Sequence, residues 1–242
     1  KAYSKMSPQH WDHVSGGGES ETTLRRNRQA LDSLAFQPHV LRNVTEIDTS
    51  TAFLGQKLRI PVFLAPIGSL DEIHPGGTLS CLHAAADFGV LMFQSSVTKL
   101  DLETAATTAG VSLVFQLYMQ GDAAWLDAYL ERIAKAGCKA FCLTVDTALH
   151  GRRERNLFNR YEPEGRKGGF REGFQYQASM TWDLVDKIRK RLDIPLIVKG
   201  ITTAEDARLA IEHGVDVIYV SNHGGRQLDH CRGTISVLPV VL

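Results

Sequence analysis

Six short apolar runs, each followed by an amphipathic stretch or a glycine-rich turn, constrain this chain more than any other feature. They are Val62–Pro66, Val90–Gln94, Ser112–Gln116, Ala140–Asp146, Pro195–Lys199 and Val217–Ser221. The runs are continuous rather than alternating, the pattern of strands covered on both faces of a parallel sheet. Between them, Thr78–Phe88, Asp101–Thr108, Asp122–Ala136, Thr181–Arg191 and Ala204–His213 read as helices. Several open on an acid or hydroxyl and close on glycine, as in Asp122…Gly137 and Thr203…Gly214. Strand followed by helix, repeated, predicts right-handed βαβ units. The polar residues gather at the C-terminal ends of the runs: Pro66–Gly68, Ser95, Gln116 and Tyr118, Thr144 and Asp146, Lys199, and Ser221–Arg226. Six contributing strand ends predict an α/β fold of the (β/α)8 TIM-barrel kind. A doubly wound sheet would instead collect its ligand groups at one switch point. No Gly-x-Gly-x-x-Gly follows a strand, and Gly16-Gly17-Gly18 precedes no Walker-type lysine, which leaves a turn as its role.

Composition narrows the partners. Lys plus Arg and Asp plus Glu each total 27 in 242 residues, a formal net charge of zero. No nucleic acid or anionic membrane surface is therefore expected, and anions must be bound by a few placed cations. No apolar run approaches the ~18 residues of a membrane span, and the opening KAYSKMSPQHWDH lacks a basic-then-apolar leader pattern. Cys81, Cys138, Cys142 and Cys231 form no CxxC pair, which fits a reduced, cytoplasmic protein. No HExxH and no Cys/His cluster points to a metal. The length suits one domain over 1–242. Within it, Asn156–Ser179 is rich in glycine and arginine and has no clean periodicity. It reads as a mobile active-site loop over the barrel mouth, against the alternative of a surface insertion with no role.

Chemistry concentrates in Ser221-Asn222-His223-Gly224-Gly225-Arg226-Gln227. A histidine on a tight turn after a buried strand suits a base that must be neutral near pH 7. The two glycines allow close approach of backbone to a flat ligand, and Arg226 can hold a carboxylate through paired hydrogen bonds. Arg153 adds a second guanidinium near the same mouth. Asp146 either fixes the tautomer of His223 or caps a helix. Lys199, an ammonium ending the apolar run PLIVK, needs an anion. The charged edge of a reduced flavin would meet that need, and a Schiff-base role is the chemical rival. Tyr118 shares strand parity with Gln116 and either bonds substrate or serves as a core tyrosine.

SNHGGRQLD resembles the signature of the FMN-dependent 2-hydroxy acid oxidase and dehydrogenase family. TLRRNRQALDSLAFQPHVLRNV, LGQKLRIPVFLAPIG, QSSVT, FQLYMQGD, GCKAFCLTVDT, GRRERN and PLIVKGITTAEDARLA resemble successive family blocks in order, together covering roughly residues 10–242. The resemblance implies oxidation of an (S)-2-hydroxy acid to the 2-oxo acid, with oxygen or another electron acceptor taking the electrons. It makes His223 the base and Asp146 its partner, and gives the substrate carboxylate to Arg153 and Arg226 with Tyr118. FMN is implied to rest on Ala65, Pro66, Ile67 and Gly68, with Ser95, Gln116, Thr144, Lys199 and Ser221 around it. Members are often homo-tetramers.

Three departures qualify these expectations. His13 stands where the family usually has a substrate-binding tyrosine. Gly68 and Val97 replace larger neighbours of the substrate side chain, which implies a bulky or aromatic substrate such as a mandelate. The family barrel has two further βα units after the helix starting near Thr234, bearing the FMN phosphate contacts, so the resemblance implies a barrel that is C-terminally incomplete within 1–242. A non-catalytic flavin-binding relative is the alternative from another functional class.

Overall fold

The computed structural model describes residues 3–108, 110, 112–163 and 173–242. The chain opens with α1 (Pro8–Ser15) and α2 (Thr22–Asp32), then a small hairpin of β1 (Thr51–Phe53) and β2 (Gln56–Leu58). Next come α3 (Leu70–Ile73), α4 (Gly77–Phe88), β3 (Met92–Ser95), α5 (Leu102–Thr107), β4 (Leu113–Leu117) and α6 (Ala123–Ala136). β5 (Ala140–Thr144), α7 (Glu154–Phe158), α8 (Phe174–Ala178), α9 (Trp182–Arg191) and β6 (Leu196–Ile201) follow. The last elements are α10 (Ala204–Glu212), β7 (Val217–Val220) and α11 (Thr234–Val241).

β3 to β7 form one parallel sheet in strict sequence order, each neighbouring pair joined through a helical crossover. No reversal of strand order occurs, so the sheet is an arc of a barrel rather than a doubly wound sheet. The first expected strand, Val62–Pro66, is reduced to a single parallel bridge, Leu64 to Met92. Pro61 and Pro66 bracket it and cannot donate to a ladder, and of the four residues between them only Leu64 pairs in a bridge. Thus the six expected runs become five regular strands and one bridge, an arc of a (β/α)8 barrel without its last two βα units.

Alternation along the strands divides the core in two. Leu91, Phe93, Val114, Ala140, Cys142 and Ile197 face the barrel interior, with Phe63 and Tyr219 packed among them. Phe115, Leu117, Phe141, Leu143, Leu196 and Val198 face the helices. The hairpin plugs the N-terminal end of the interior through Phe53, Leu54 and Leu58. Each such large apolar side chain, fully buried, contributes about 1.5–3 kcal/mol. The helix starts behave as their side chains dictate: Asp101 accepts from Thr104 N at 2.8 Å, Asp122 from Trp125 N at 2.9 Å and Thr203 from Asp206 N at 3.0 Å.

Of the expected loop Asn156–Ser179, residues 164–172 lie outside the described residues. The flanks are not structureless: α7 and α8 occupy them. Among the described residues no helix is long and apolar enough to cross a membrane, and no group of three metal-ligating side chains forms.

Candidate active site

Followed toward its C-terminal end, the interior face changes from apolar to polar in every strand. Phe93 gives way to Ser95, Val114 to Gln116, Cys142 to Thr144, Ile197 to Lys199 and Tyr219 to Ser221, each two residues on and therefore on the same face. Above this rim lies a cavity of about 460 Å³, of the size that holds a small ligand. Its wall includes Ala65, Pro66, Ile67 and Gly68, Tyr118, Arg153, Lys199, Ser221, His223 and Arg226.

His223 is the centre of a hydrogen-bonded cluster. Its Nδ1 lies 2.7 Å from Asp146 Oδ1, and its Nε2 lies 3.3 Å from the Tyr118 hydroxyl. Lys199 Nζ stands 3.4 Å from Asp146 Oδ2 and 3.5 Å from His223 Nδ1. The Ser221 hydroxyl donates to Asp146 Oδ2 at 3.2 Å and accepts from the His223 amide at 3.0 Å. Burial pushes the His223 imidazole below its ordinary range, and the charges of Lys199 and Arg153 act the same way, against the hydrogen bond and charge of Asp146. Burial alone would raise the Asp146 carboxyl, but His223 and Lys199 outweigh it and hold the group below the usual carboxylate range. Burial, reinforced by the charge of Asp146, pushes the Tyr118 phenol up. At neutral pH the cluster therefore offers a neutral imidazole backed by a carboxylate, next to a phenol that keeps its proton.

The backbone supports this arrangement at a cost. His223 sits at φ 57°, in the left-handed region that a non-glycine residue occupies at a cost of about 1–2 kcal/mol. Gly200 has φ 123°, and a Cβ there would fall 2.7 Å from that of Asp146. Only glycine lets β6 pass so close to the carboxylate.

The loop carrying His223 is held from the other end of the chain. Asn222 and Asn27 exchange side-chain hydrogen bonds at 2.8 and 3.0 Å. The Gly18 amide donates to the Gly225 carbonyl at 2.8 Å, so the N-terminal glycine turn packs directly on the site. Asp229 accepts from the Thr22 and Thr23 amides at 3.2 and 2.7 Å and from the Ser20 hydroxyl at 2.7 Å. It thereby caps α2 in place of Glu21, whose side chain makes no cap.

Arg153 and Arg226 both line the cavity, and both charges are felt by the Tyr118 phenol. Arg226 has a second task that its sequence position did not suggest. Its Nη1 donates to the carbonyls of Val14 and Gly16 at 3.0 and 2.8 Å, and its Nη2 to that of His13 at 2.9 Å. It tethers the end of α1 to the cavity wall. His13 also lines the cavity. Ser95 is buried, and its hydroxyl accepts from the Val97 amide at 3.2 Å, so it turns the local chain. The space beside Gly68 is partly taken already: a Cβ there would lie 3.2 Å from that of Val97.

Sequence reasoning missed Gln177 and Thr147. Gln177, on α8, accepts from the Met119 amide at 2.8 Å and donates to the Thr144 carbonyl at 2.7 Å, joining the ends of β4 and β5. Thr147 lines the cavity with a buried hydroxyl that has no hydrogen-bond partner among the described residues. Nothing in a lone Gln or Thr announces such a role. The partner for Asp146 in LTVDT, by contrast, was readable.

Both polar ends of the Gln116 carboxamide and the Thr144 hydroxyl are buried without a hydrogen-bond partner among the described residues. A carboxamide offers a donor and an acceptor side by side, which matches the alternating edge of a flavin ring, and the Lys199 ammonium suits its anionic side. The residues present fit FMN.

Known proteins resemble this chain along its whole length. The family described as FMN-dependent dehydrogenase matches residues 2–242. Glycolate oxidase 5 of Oryza sativa subsp. japonica is 35% identical over 100% of this chain and 71% of its own length. L-lactate oxidase of Lacticaseibacillus rhamnosus (strain LMS2-1) is 37% identical over 95% of this chain and 66% of its own. A solved mandelate oxidase with benzoyl-formic acid superposes with a TM-score of 0.90 at 34% identity, covering 99% of this chain and 71% of that one. The chain belongs to the FMN-dependent dehydrogenase family, as an FMN-dependent oxidoreductase of 2-hydroxy acids built on a (β/α)8 barrel.

Proposed function

We propose that this chain oxidises an (S)-2-hydroxy acid with a bulky or aromatic side chain, such as a mandelate, to the 2-oxo acid. The observation that carries the reading is the His223–Asp146 contact of 2.7 Å beside a cavity that two arginines share. His223 Nε2 takes the proton that the hydroxy acid releases, and Asp146, anionic at Nδ1, stabilises the imidazolium that results. Arg153 and Arg226 draw the substrate carboxylate to the wall by charge and hydrogen bonding. Tyr118, protonated, orients the substrate oxygen next to Nε2. Gln116, Thr144, Lys199, Ser221, Ser95 and the strip Ala65–Gly68 hold the cofactor. FMN would supply a two-electron acceptor for the α-hydrogen and its electron pair, and oxygen, as the names of the oxidases it is similar to suggest, would be the reoxidant.

Bulk in the substrate is supported by the apolar residues Val14, Ile67, Ile73, Val97 and Pro163 among those that line the cavity. Since Val97 already presses on the space beside Gly68, the extra room stems from the small size of Val97 more than from the glycine. The test is a series of hydroxy acids given anaerobically to the FMN-loaded protein, with bleaching of the flavin as the signal and air as the reoxidant. (S)-Mandelate should exceed glycolate and lactate in kcat/KM. The opposite order ends the bulky-substrate reading.

A further inference from the structure

His13 and Asn156 form a contact to which the reaction as described assigns no purpose. Asn156 lies on α7, is buried, and places its Nδ2 2.9 Å from His13 Nδ1. A carboxamide nitrogen only donates, so His13 Nδ1 accepts and the proton of the neutral ring resides on Nε2. The ring is fixed on a second side by Tyr161, whose ring centroid is 5.4 Å away at 47°. The His13 carbonyl is fixed by Arg226. His13 shares its cavity wall with Arg153, Arg226 and Tyr118.

We infer that Asn156 is a positioning residue that locks His13 as its Nε2–H tautomer, making it a neutral hydrogen-bond donor to the substrate carboxylate. This rests on the hydroxy acid reading above. The wall already carries two guanidinium groups, and a third cation beside them would meet like charge in a partly desolvated site. A donor without charge adds a hydrogen bond and avoids that repulsion. Among the described residues, the charged and titratable groups set around His13 include His10 and Asp12 on its own helix, Arg155 and Tyr161 from the α7 side, and Arg153 and Arg226 in the cavity wall. Asp12 is engaged with Arg155 at 3.5 Å and Asn159 at 2.6 Å, so its charge is answered there and not by His13.

Nitrogen-15 NMR of the full chain with labelled histidines reads the tautomer directly. The expected His13 pattern is an unprotonated Nδ1 and a protonated Nε2, and in Asn156→Asp the proton moves onto Nδ1 or the ring becomes doubly protonated. In the FMN-loaded enzyme, His13→Leu should raise KM for the hydroxy acid on the order of tenfold or more, as loss of a hydrogen bond to a charged group does, and lower kcat less. His13→Gln keeps an N–H at the same reach and should recover most of that loss. Asn156→Asp should make KM pH-dependent, low where His13 carries a proton and rising as pH rises, a limb the parent lacks. A protonated Nδ1 in the parent overturns the inference, as does a KM within twofold in His13→Leu or a parental pH profile in Asn156→Asp. If no hydroxy acid bleaches the parent flavin, the substrate reading fails by itself, and the NMR pattern still judges the lock.

Discussion

The two halves of the polar cluster at the strand ends differ in how completely their polar atoms are paired. Around His223 the polar atoms meet one another: Asp146 and Tyr118 on the two ring nitrogens, Lys199 and Ser221 on the carboxylate, Ser221 again on the backbone. Two strands from β7, Thr144 on β5, and three strands from it, Gln116 on β4, bury hydrogen-bonding atoms that meet nothing among the described residues. An unmet buried polar group costs about 1–3 kcal/mol, so a fold keeps one where a ligand completes it. The contrast divides the labour. The His223 half is assembled by the protein's own side chains, and on the proposed function the other half would be met by the cofactor.

The largest effect should come from breaking the complete half. His223→Ala is expected to lower kcat by roughly 10²- to 10⁴-fold while the purified protein stays yellow, and stopped-flow flavin reduction would measure it. In the parent, the imidazole is depressed by burial and by neighbouring cations. The base is therefore active once pH exceeds that lowered value, and the acid limb of kcat/KM should fall below the ordinary histidine pKa of about 6.5. A limb above that value contradicts the arrangement.

Gln116→Leu attacks the unfinished half and should act in the opposite manner. FMN affinity should weaken on the order of tenfold or more, while the FMN-free protein should melt no lower than the parent, because an unpaired amide has been removed. Titration of the apoprotein with FMN and its thermal melting give both numbers. Unchanged affinity with a lower Tm would make Gln116 a structural residue.

The smallest effect expected is at Asp229, which ties α2 to the loop bearing His223. Asp229→Ala removes a helix cap and should cost about 0.5–2 kcal/mol, visible as a Tm lower by a few degrees. Burial would raise this carboxyl, but its hydrogen bonds from Thr23, Ser20, His230 and Thr22 hold it far below the ordinary range. A carboxyl depressed by folding stabilises above its unfolded pKa and loses that contribution as pH falls. The gap between parent and variant should accordingly close below about pH 4. A gap that persists in acid would point to packing instead of the cap.

What was legible from sequence follows the locality of the signal. β3 to β7 and the helices between them announced themselves because each apolar run and each cap lies within a few residues of itself. Pro61 and Pro66 spoiled the first strand, and the three-residue strands of the hairpin carry too little pattern to read. α2 escaped notice because it is polar on nearly every side and buries Thr23 alone. Its partners, Asn222 and Asp229, stand about 200 positions later, as the bonds of Asn27 and Thr23 show. A separation of 143 positions likewise hid Asn156 behind His13. His223, Asp146, Arg153, Tyr118 and Lys199, which the structure brings together, could be picked out because their residue types carry chemistry. The second duty of Arg226, holding α1, belongs to geometry only.

That long reach also bears on the order in which the molecule is made. During synthesis α1 and α2 emerge well before the loop they secure, with most of the other described elements made in between. Contacts of such sequence separation form late and slowly, so the N-terminal helices must wait in solvent. α2, the sequence TTLRRNRQALD, is suited to waiting: it exposes little apolar surface and attracts few wrong partners. The turn that aims His223 reaches its final shape only when segments about 200 positions apart meet, and competence for chemistry waits on that meeting.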